Sequence, residues 1–312
     1  MVALSDYLKL TRPLNLLIVA LLQGMMYYGV LLPVLEENGI YSVFKGGLFP
    51  VFILVTVIIA ASGNVINDII DIGIDKINKP SKWIAGNTIP LRSVGYFYIT
   101  LIITGWILSI YIAFKIDKFY YLFLYALSVI FLFFYSKKLK KVLLLGNLLV
   151  SIFTAGVIGI ILVFEYNSGI VLKGLSDESY KYIKSVFYGF MFFSFMTSMY
   201  REIVKDIEDM YGDNKEGAKT IPLVFGVKAS KIISLVIAVI ILIALVLWTK
   251  MDINTDRDYF ILYTYIIVIP FLLFTVFMLL KAKAKNDFGK LSWLIKIFML
   301  LGILLLVFYL KT

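Results

Sequence analysis

The sequence contains no cysteine and no histidine. Without cysteine, the chain cannot form disulfides, thiolate metal sites or a cysteine nucleophile. Without histidine, any general base must be a carboxylate, a lysine, a tyrosine or the substrate itself. Charged residues are also scarce, at 16% of the 312 residues, whereas 61% are hydrophobic. This balance excludes an ordinary soluble domain and indicates a polytopic membrane protein.

Long apolar segments repeat along the whole chain, and each has the length that a helix needs to cross a bilayer. Strands of a membrane barrel would be shorter and would alternate in polarity, so the predicted fold is all-α. No change of composition marks a second domain, so residues 1–312 are predicted to form one transmembrane domain. Nine crossings are predicted: 13–35, 48–67, 91–114, 118–135, 142–164, 183–203, 228–249, 258–280 and 290–310.

The basic residues are distributed unequally between the two sides of the predicted membrane. The N-terminus and the loops after segments 2, 4, 6 and 8 carry 20 Lys and Arg, the other side carries nine, and Lys296 lies within segment 9. This bias predicts a multi-pass protein of the cell membrane with a cytoplasmic N-terminus. We therefore interpret the net charge of +10 as topological rather than as a nucleic-acid surface. The opening stretch lacks a cleavable signal pattern, so we expect the first apolar run to be retained.

Two matching groups of carboxylates end segments 2 and 6 on the predicted cytoplasmic face. The first acidic motif is Asp68, Asp71 and Asp75, and the second is Asp206, Asp209 and Asp213, with the same i, i+3, i+7 spacing. Such positions share one face of a helix. The repetition predicts that the domain has two internally similar halves, each made of helices, acids and a loop.

Two acidic motifs that face each other would repel unless positive charge lies between them, and carboxylates near membrane depth are usually functional. A hard divalent cation such as Mg²⁺ binds carboxylates together with substrate phosphates. Basic residues stand beside both motifs in the sequence, in 11-TRPLN-15, 135-YSKKLKK-141 and 201-REIVK-205. Acids interleaved with Lys and Arg favour a metal-bridged diphosphate over a simple cation site.

These residues resemble the motifs of the UbiA superfamily of intramembrane prenyltransferases, over nearly the whole chain. The family pattern NDxxDxxxD is matched by Asn67, Asp68, Asp71 and Asp75, and a second Asp-rich pattern is matched by Asp206, Asp209 and Asp213. The resemblance implies helices around a central cavity open to the cytoplasmic side, with Mg²⁺ as cofactor. It implies an isoprenoid diphosphate donor, a lipid-like acceptor, contact with membrane lipid and no nucleic-acid partner.

The resemblance also assigns roles to individual residues of this sequence. The six aspartates are predicted to be catalytic, and together with Asn67 they are the predicted metal ligands. The predicted substrate-binding residues are Arg12, Asn15, Asn64, Asn67, Lys76, Lys82, Tyr135, Lys140, Lys141, Asn147, Arg201 and Lys205. Tyr135, Tyr200 and Tyr211 stand near the motifs in the sequence, so their aromatic faces are candidates for stabilising an allylic cation.

Within the superfamily, the stretch 201–222 most resembles archaeal enzymes of ether-lipid synthesis. That likeness implies transfer of a geranylgeranyl group from geranylgeranyl diphosphate to geranylgeranylglyceryl phosphate. Three alternatives stay open: an aromatic acceptor from a quinone or tetrapyrrole pathway, a cation-coupled transporter, and a structural membrane protein. Transport is disfavoured because the acids cluster at one face rather than at the midplane, and a structural role would leave both acidic motifs unexplained.

Overall fold

A computed structural model describes residues 4–78, 83–166, 174–251 and 258–309, and these residues are almost entirely helical. Within them, β pairing is limited to one isolated bridge between Ala85 and Ile89. The helices are α1 Leu4–Thr11, α2 Pro13–Gly24, α3 Leu32–Glu37, α4 Leu48–Ile70, α5 Ile72–Asn78, α6 Leu91–Lys115, α7 Tyr121–Lys137, α8 Leu145–Tyr166, α9 Asp177–Lys215, α10 Ile221–Met251, α11 Asp258–Tyr263, α12 Ile269–Lys281 and α13 Lys285–Tyr309.

Two wider helical turns join short helices into continuous rods. A π-helical segment, Met25–Leu31, connects α2 to α3, and another, Thr264–Val268, connects α11 to α12. Each lies just before a proline, Pro33 or Pro270. Proline lacks the N–H of a regular helical bond and crowds the carbonyl of the preceding turn, so a widened turn relieves the conflict.

Seven helices or rods of the described residues are long and apolar enough to cross a membrane. They cover seven of the nine predicted crossings: Pro13–Glu37, Lys45–Ile70, Leu91–Lys115, Leu145–Glu165, Ile221–Lys250, Asp258–Lys281 and Lys285–Tyr309. The predicted crossing 118–135 corresponds to α7, which has 17 residues, and 183–203 lies inside the 39-residue α9. The chain is therefore an all-helical, multi-pass membrane protein.

Helix α9 is the centre of the packing, because it contacts α5, α8, α10 and α13. The main hydrophobic core lies along this helix, and many large apolar side chains elsewhere point outward, including Ile103, Phe123 and Ile243. Outward apolar side chains are expected where lipid takes the place of water. The arrangement leaves one end of α9 free to face α4, α7 and α8 across a polar space.

The opposite end of the bundle is held by a buried carboxyl group. Glu165, at the end of α8, is fully buried; it accepts hydrogen bonds from the hydroxyl of Ser42 and from the backbone N–H of Val43. The Tyr27 hydroxyl donates to the same Ser42 oxygen at 2.7 Å. Buried polar groups need such partners, so this network fixes the loop between α3 and α4 against α8.

Candidate active site

A cavity of about 310 Å³ opens between α2, α4, α7, α8 and α9, at the ends where the two acidic motifs lie. Most of the predicted site residues share this one cavity although they come from distant parts of the chain. Fifteen of them line it: Arg12, Asn15, Asn64, Asn67, Asp71, Asp75, Tyr135, Lys140, Lys141, Asn147, Arg201, Lys205, Asp206, Asp209 and Asp213.

The first acidic motif lies where a helix breaks. Helix α4 ends at Ile70, Asp71 has non-helical torsion angles, and α5 restarts at Ile72. Lys140, from the short turn after α7, donates to the carboxylate of Asp71 and, at 2.9 Å, to the side-chain oxygen of Asn67. Asn67 in turn donates to Asp71 at 2.8 Å. Burial lowers the pKa of Lys140, and the charge of Asp71 opposes that effect.

Arg12 connects the N-terminal helix to the same motif. Its guanidinium donates to Asp68 at 2.7 Å, and its backbone has a left-handed φ of 56°, which turns the chain between α1 and α2. Asn64 supports the turn by donating to the carbonyl of Thr11 at 2.9 Å. Asp68 is outside the cavity lining, so its observed role is to hold Arg12 in place.

The second acidic motif lies on unbroken helix, just beyond the predicted crossing 183–203. Asn147, from the start of α8, donates to the Asp206 carboxylate at 2.8 Å. Burial raises the pKa of Asp206 to about 8 and that of Asp213 to about 6. Asp213 also interacts electrostatically with Asp71 of the first motif. Ionising these carboxyl groups together is costly without a cation between them.

Asn78 links the two motifs directly, a contact that the sequence did not reveal. Its side-chain nitrogen donates to the carbonyl and carboxylate oxygens of Asp209, at 3.1 and 3.3 Å, and its side-chain oxygen accepts from the N–H of Gly212 at 3.1 Å. Lys285 donates to the backbone oxygen of Asn78 at 2.9 Å. In the sequence, Asn78 stands two residues before Pro80, and this position does not indicate the contact.

A basic group lies further along α9, towards the membrane interior. Arg201 pairs with the neighbouring carboxylate of Glu202, which is itself buried. The Nε atom of Arg201 and the hydroxyl of Thr220 are buried, and within the described residues neither has a hydrogen-bond partner. Both residues line the cavity. Buried donors without partners are uncommon, so they indicate room for an external acceptor.

Several predicted positions lie elsewhere. Lys76 is stacked over the ring of Trp83 at 5.0 Å and does not line the cavity, and Lys82 lies outside the described residues. Of the three candidate aromatics, only Tyr135 lines the cavity. Tyr200 is buried, with its hydroxyl 3.5 Å from that of Thr275, and Tyr211 is 62% exposed.

The donor set of the cavity fits a divalent cation that is shared with a substrate. Among the described residues, no three acids are close enough to hold a metal ion by themselves. Mg²⁺ commonly takes only one or two carboxylates and completes its shell with water and substrate phosphates. Asp71 and Asp213 approach each other from the two motifs and fit that role, since both line the cavity.

The fold and the cavity together define a polytopic membrane protein with an acidic and basic intramembrane site suited to a metal-bound phosphate. The chain belongs to the UbiA prenyltransferase family, whose model matches residues 38–302. This membership confirms the resemblance that the acidic motifs indicated.

Individual relatives extend the likeness over almost the whole chain. The chain is 30% identical over 302 residues to the digeranylgeranylglyceryl phosphate synthase of Methanosphaera stadtmanae, with 96% of this chain and 97% of the relative covered. It is 33% identical over 307 residues to the synthase of the same name from Methanocaldococcus jannaschii, with 98% and 95% covered.

Solved structures show the same architecture. One, described as giving structural and mechanistic insights into the biosynthesis of digeranylgeranylglyceryl phosphate synthase in membranes, matches with a TM-score of 0.60 and 29% identity over 100% of both chains. A UbiA homologue from Archaeoglobus fulgidus, bound to GPP and Mg²⁺, matches with a TM-score of 0.55 and 14% identity, over 97% of this chain and 99% of that one. The second match supports the fold only.

Proposed function

We propose that this protein transfers a geranylgeranyl group from geranylgeranyl diphosphate to the free hydroxyl of geranylgeranylglyceryl phosphate, releasing diphosphate, in archaeal ether-lipid synthesis. The observation that carries the proposal is the cavity itself, because it brings carboxylates of both acidic motifs together with Arg12, Lys140 and Lys205. The relatives of the same length that carry the name digeranylgeranylglyceryl phosphate synthase support the choice of acceptor.

In the proposed reaction, the C–O bond between the allylic carbon and the diphosphate breaks, and an ether bond forms to the acceptor oxygen. Mg²⁺, when bound, would stabilise the negative charge that develops on the leaving diphosphate. The chain's own side chains bind and orient that diphosphate: Lys140 and Arg12 supply charge-assisted donors, and Asn67 and Asn147 hold Asp71 and Asp206 in position.

Few groups can accept the proton of the acceptor hydroxyl, because the chain has no histidine to act as a general base. A carboxylate of the second motif, or an oxygen of the leaving diphosphate, takes it in the proposed reaction. The ring of Tyr135, at the wall of the cavity, faces the space where the allylic carbon becomes cationic.

The proposed enzyme has a defined topology in the membrane and a defined internal organisation. The charge bias of the loops supports nine crossings with the N-terminus and the active site on the cytoplasmic side. The junction of α4 and α5 brings acids of the first motif to the cavity and α9 brings the second motif, which supports a single domain with two internally similar halves.

The test is a product assay with defined acceptors. Purified protein in detergent with Mg²⁺ and geranylgeranyl diphosphate is given geranylgeranylglyceryl phosphate or 4-hydroxybenzoate, and products are identified by mass spectrometry. We expect the doubly alkylated glyceryl phosphate, loss of product on chelation, and its return when Mg²⁺ is restored. A protein that prenylates only the aromatic acceptor would refute the proposed acceptor.

Variants of the acidic motifs test the site. Asp71→Asn and Asp209→Asn each remove a charge from the cavity and should lower the rate by roughly 100-fold, since metal-bound charge stabilisation is worth several kcal/mol. The matched control is Asp177→Asn, an exposed aspartate at the far end of α9. Equal rates for all three variants and the unchanged protein would contradict the assignment.

A further inference from the structure

Lys296 is a basic residue that the proposed metal site does not use. It is in α13, within a segment that is long and apolar enough to cross a membrane. Its ammonium group interacts electrostatically with three like charges, Arg201, Lys205 and Arg12, and with the carboxylate of Glu202. An ionisable side chain at such depth is costly to keep and usually serves a function.

Arg201, Lys205 and Lys296 form a basic group in which all three side chains interact with the carboxylate of Glu202, and Lys205 also interacts with Asp209. Within the described residues, Glu202 pairs directly with Arg201, whereas Lys205 and Lys296 make no ion pair within 4 Å. The Nε of Arg201 is a buried donor that has no partner within the described residues. These observations point to a multiply charged anion with several acceptor oxygens.

A small apolar chamber of about 60 Å³ adjoins the polar cavity. It is lined by Phe190, Phe193, Thr197, Phe298, Met299 and Gly302, among others, and Thr154 lines both the chamber and the polar cavity. On α9, positions 190, 194, 197 and 201 are spaced so that they share one helix face, which runs from the chamber to Arg201. On α13, Lys296 and Met299 are three residues apart, so they also share a face.

A cationic end joined to an apolar extension matches an amphiphile with a phosphate headgroup and a hydrocarbon chain. We infer that Arg201, Lys205 and Lys296 bind the phosphate of the prenylated acceptor, and that the adjoining chamber takes the first part of its chain. Lys296 is then a specificity-determining residue that distinguishes a phosphorylated lipid acceptor from a neutral or aromatic one. This inference rests on the proposed function and assigns the donor diphosphate to the other side of the cavity, beside Lys140 and Asp71.

If Lys296 binds the acceptor's phosphate, the effect of replacing Lys296 must depend on whether the acceptor carries that phosphate. The test uses the full chain in detergent with Mg²⁺ and saturating geranylgeranyl diphosphate, and compares geranylgeranylglyceryl phosphate with geranylgeranylglycerol, which lacks the phosphate. Lys296→Met should raise the KM for the phosphorylated acceptor by roughly 10- to 100-fold, the range expected for one charge-assisted hydrogen bond. The KM for the donor should change less than about twofold, and Lys296→Arg should recover most of the loss.

The neutral acceptor distinguishes a binding role of Lys296 from a structural one, because a structural defect would affect both acceptors equally. The unchanged protein should prefer the phosphorylated acceptor, and Lys296→Met should lose most of that preference. Lys290→Met is the matched control, because Lys290 is an exposed lysine on the same helix, and it should leave both KM values unchanged. An equal rise in both KM values for Lys296→Met, or an undiminished preference for the phosphorylated acceptor, overturns the inference alone. Absence of any ether product from the unchanged protein, with turnover of an aromatic acceptor, overturns the proposed function as well.

Discussion

Replacing Gly212 by alanine should lower activity, because the new methyl group would collide with the side chain of Asn78. A Cβ atom at Gly212 would lie 2.5 Å from Nδ2 and 2.8 Å from Oδ1 of Asn78. These distances are far below van der Waals contact, so one of the two groups must move. Asn78 is only 8% exposed and is held by Asp209, Gly212 and Lys285. It cannot turn aside without losing those partners.

The expected effect on stability is small because two contributions oppose each other. Displacing Asn78 breaks its hydrogen bonds to Asp209 and Gly212, at about 1 kcal/mol each. Alanine in a helix regains about 1 kcal/mol relative to glycine, so the free energy of unfolding should fall by about 1–2 kcal/mol. The effect on rate should be larger, since a displacement of about 1 Å at a reacting centre costs on the order of 100-fold, and Asp209 loses the group that orients it.

The assay is kcat/KM for geranylgeranyl diphosphate in a double-mutant cycle of Gly212→Ala, Asn78→Ala and the combination. Asn78→Ala removes the group with which the new Cβ collides, so adding Gly212→Ala to it should cost little more. The cycle should be strongly non-additive. Fully additive effects would show that the two residues act independently, and would refute this account of how the motifs are held together.

Three further predictions concern charge, stability and topology. Lys140→Met should lower kcat/KM for the donor by roughly 10- to 100-fold, because one charge-assisted hydrogen bond is lost, whereas the exposed neighbour Lys138 should tolerate the same change in the same rate assay. Glu165→Ala should cost about 2–4 kcal/mol of stability because it leaves buried donors unpaired, lowering the thermal midpoint without changing either KM; an unaltered midpoint would contradict this. Because the chain has no cysteine, single-cysteine variants report the topology: on intact cells an impermeant maleimide should label Glu178→Cys, whereas Lys219→Cys should need permeabilised membranes. The reverse pattern would invert the proposed orientation.

The sequence predicted the membrane segments well where hydropathy and helix length coincide, as at 91–114, observed as Leu91–Lys115. It underestimated α9, which continues on both sides of the predicted 183–203 to span Asp177–Lys215. A hydropathy window detects only the part of a helix that is apolar enough to contact lipid. A helix can continue beyond that part into water if its charged residues are solvated. The widened turns before Pro33 and Pro270 were also missed, because an apolar run shows no break there.

The sequence singled out most of the residues that line the cavity, but it did not indicate which of them pair. The repeated spacing of the aspartates indicated two matching motifs, and the family resemblance implied that they share a central cavity. The partners Arg12 and Asp68 are 56 residues apart, and Lys140 and Asp71 are 69 apart. Four lysines stand within 137–141, and only the observed turn after α7 selects Lys140 as the partner of Asp71. Asn78 carried no recognisable signal, since its role depends on the approach of α5 to α9.

Because α9 is unbroken, it sets a fixed distance between the groups that it brings to the cavity. Arg201 and Asp209 are eight residues apart on one rigid rod, so about 12 Å of helical rise separates their backbones. The distance between the basic and the acidic groups is therefore fixed by the covalent chain rather than by loop conformation. Inserting one residue between Arg201 and Asp206 would turn the basic group by about 100° relative to the acidic group, and the two groups could no longer face the same substrates.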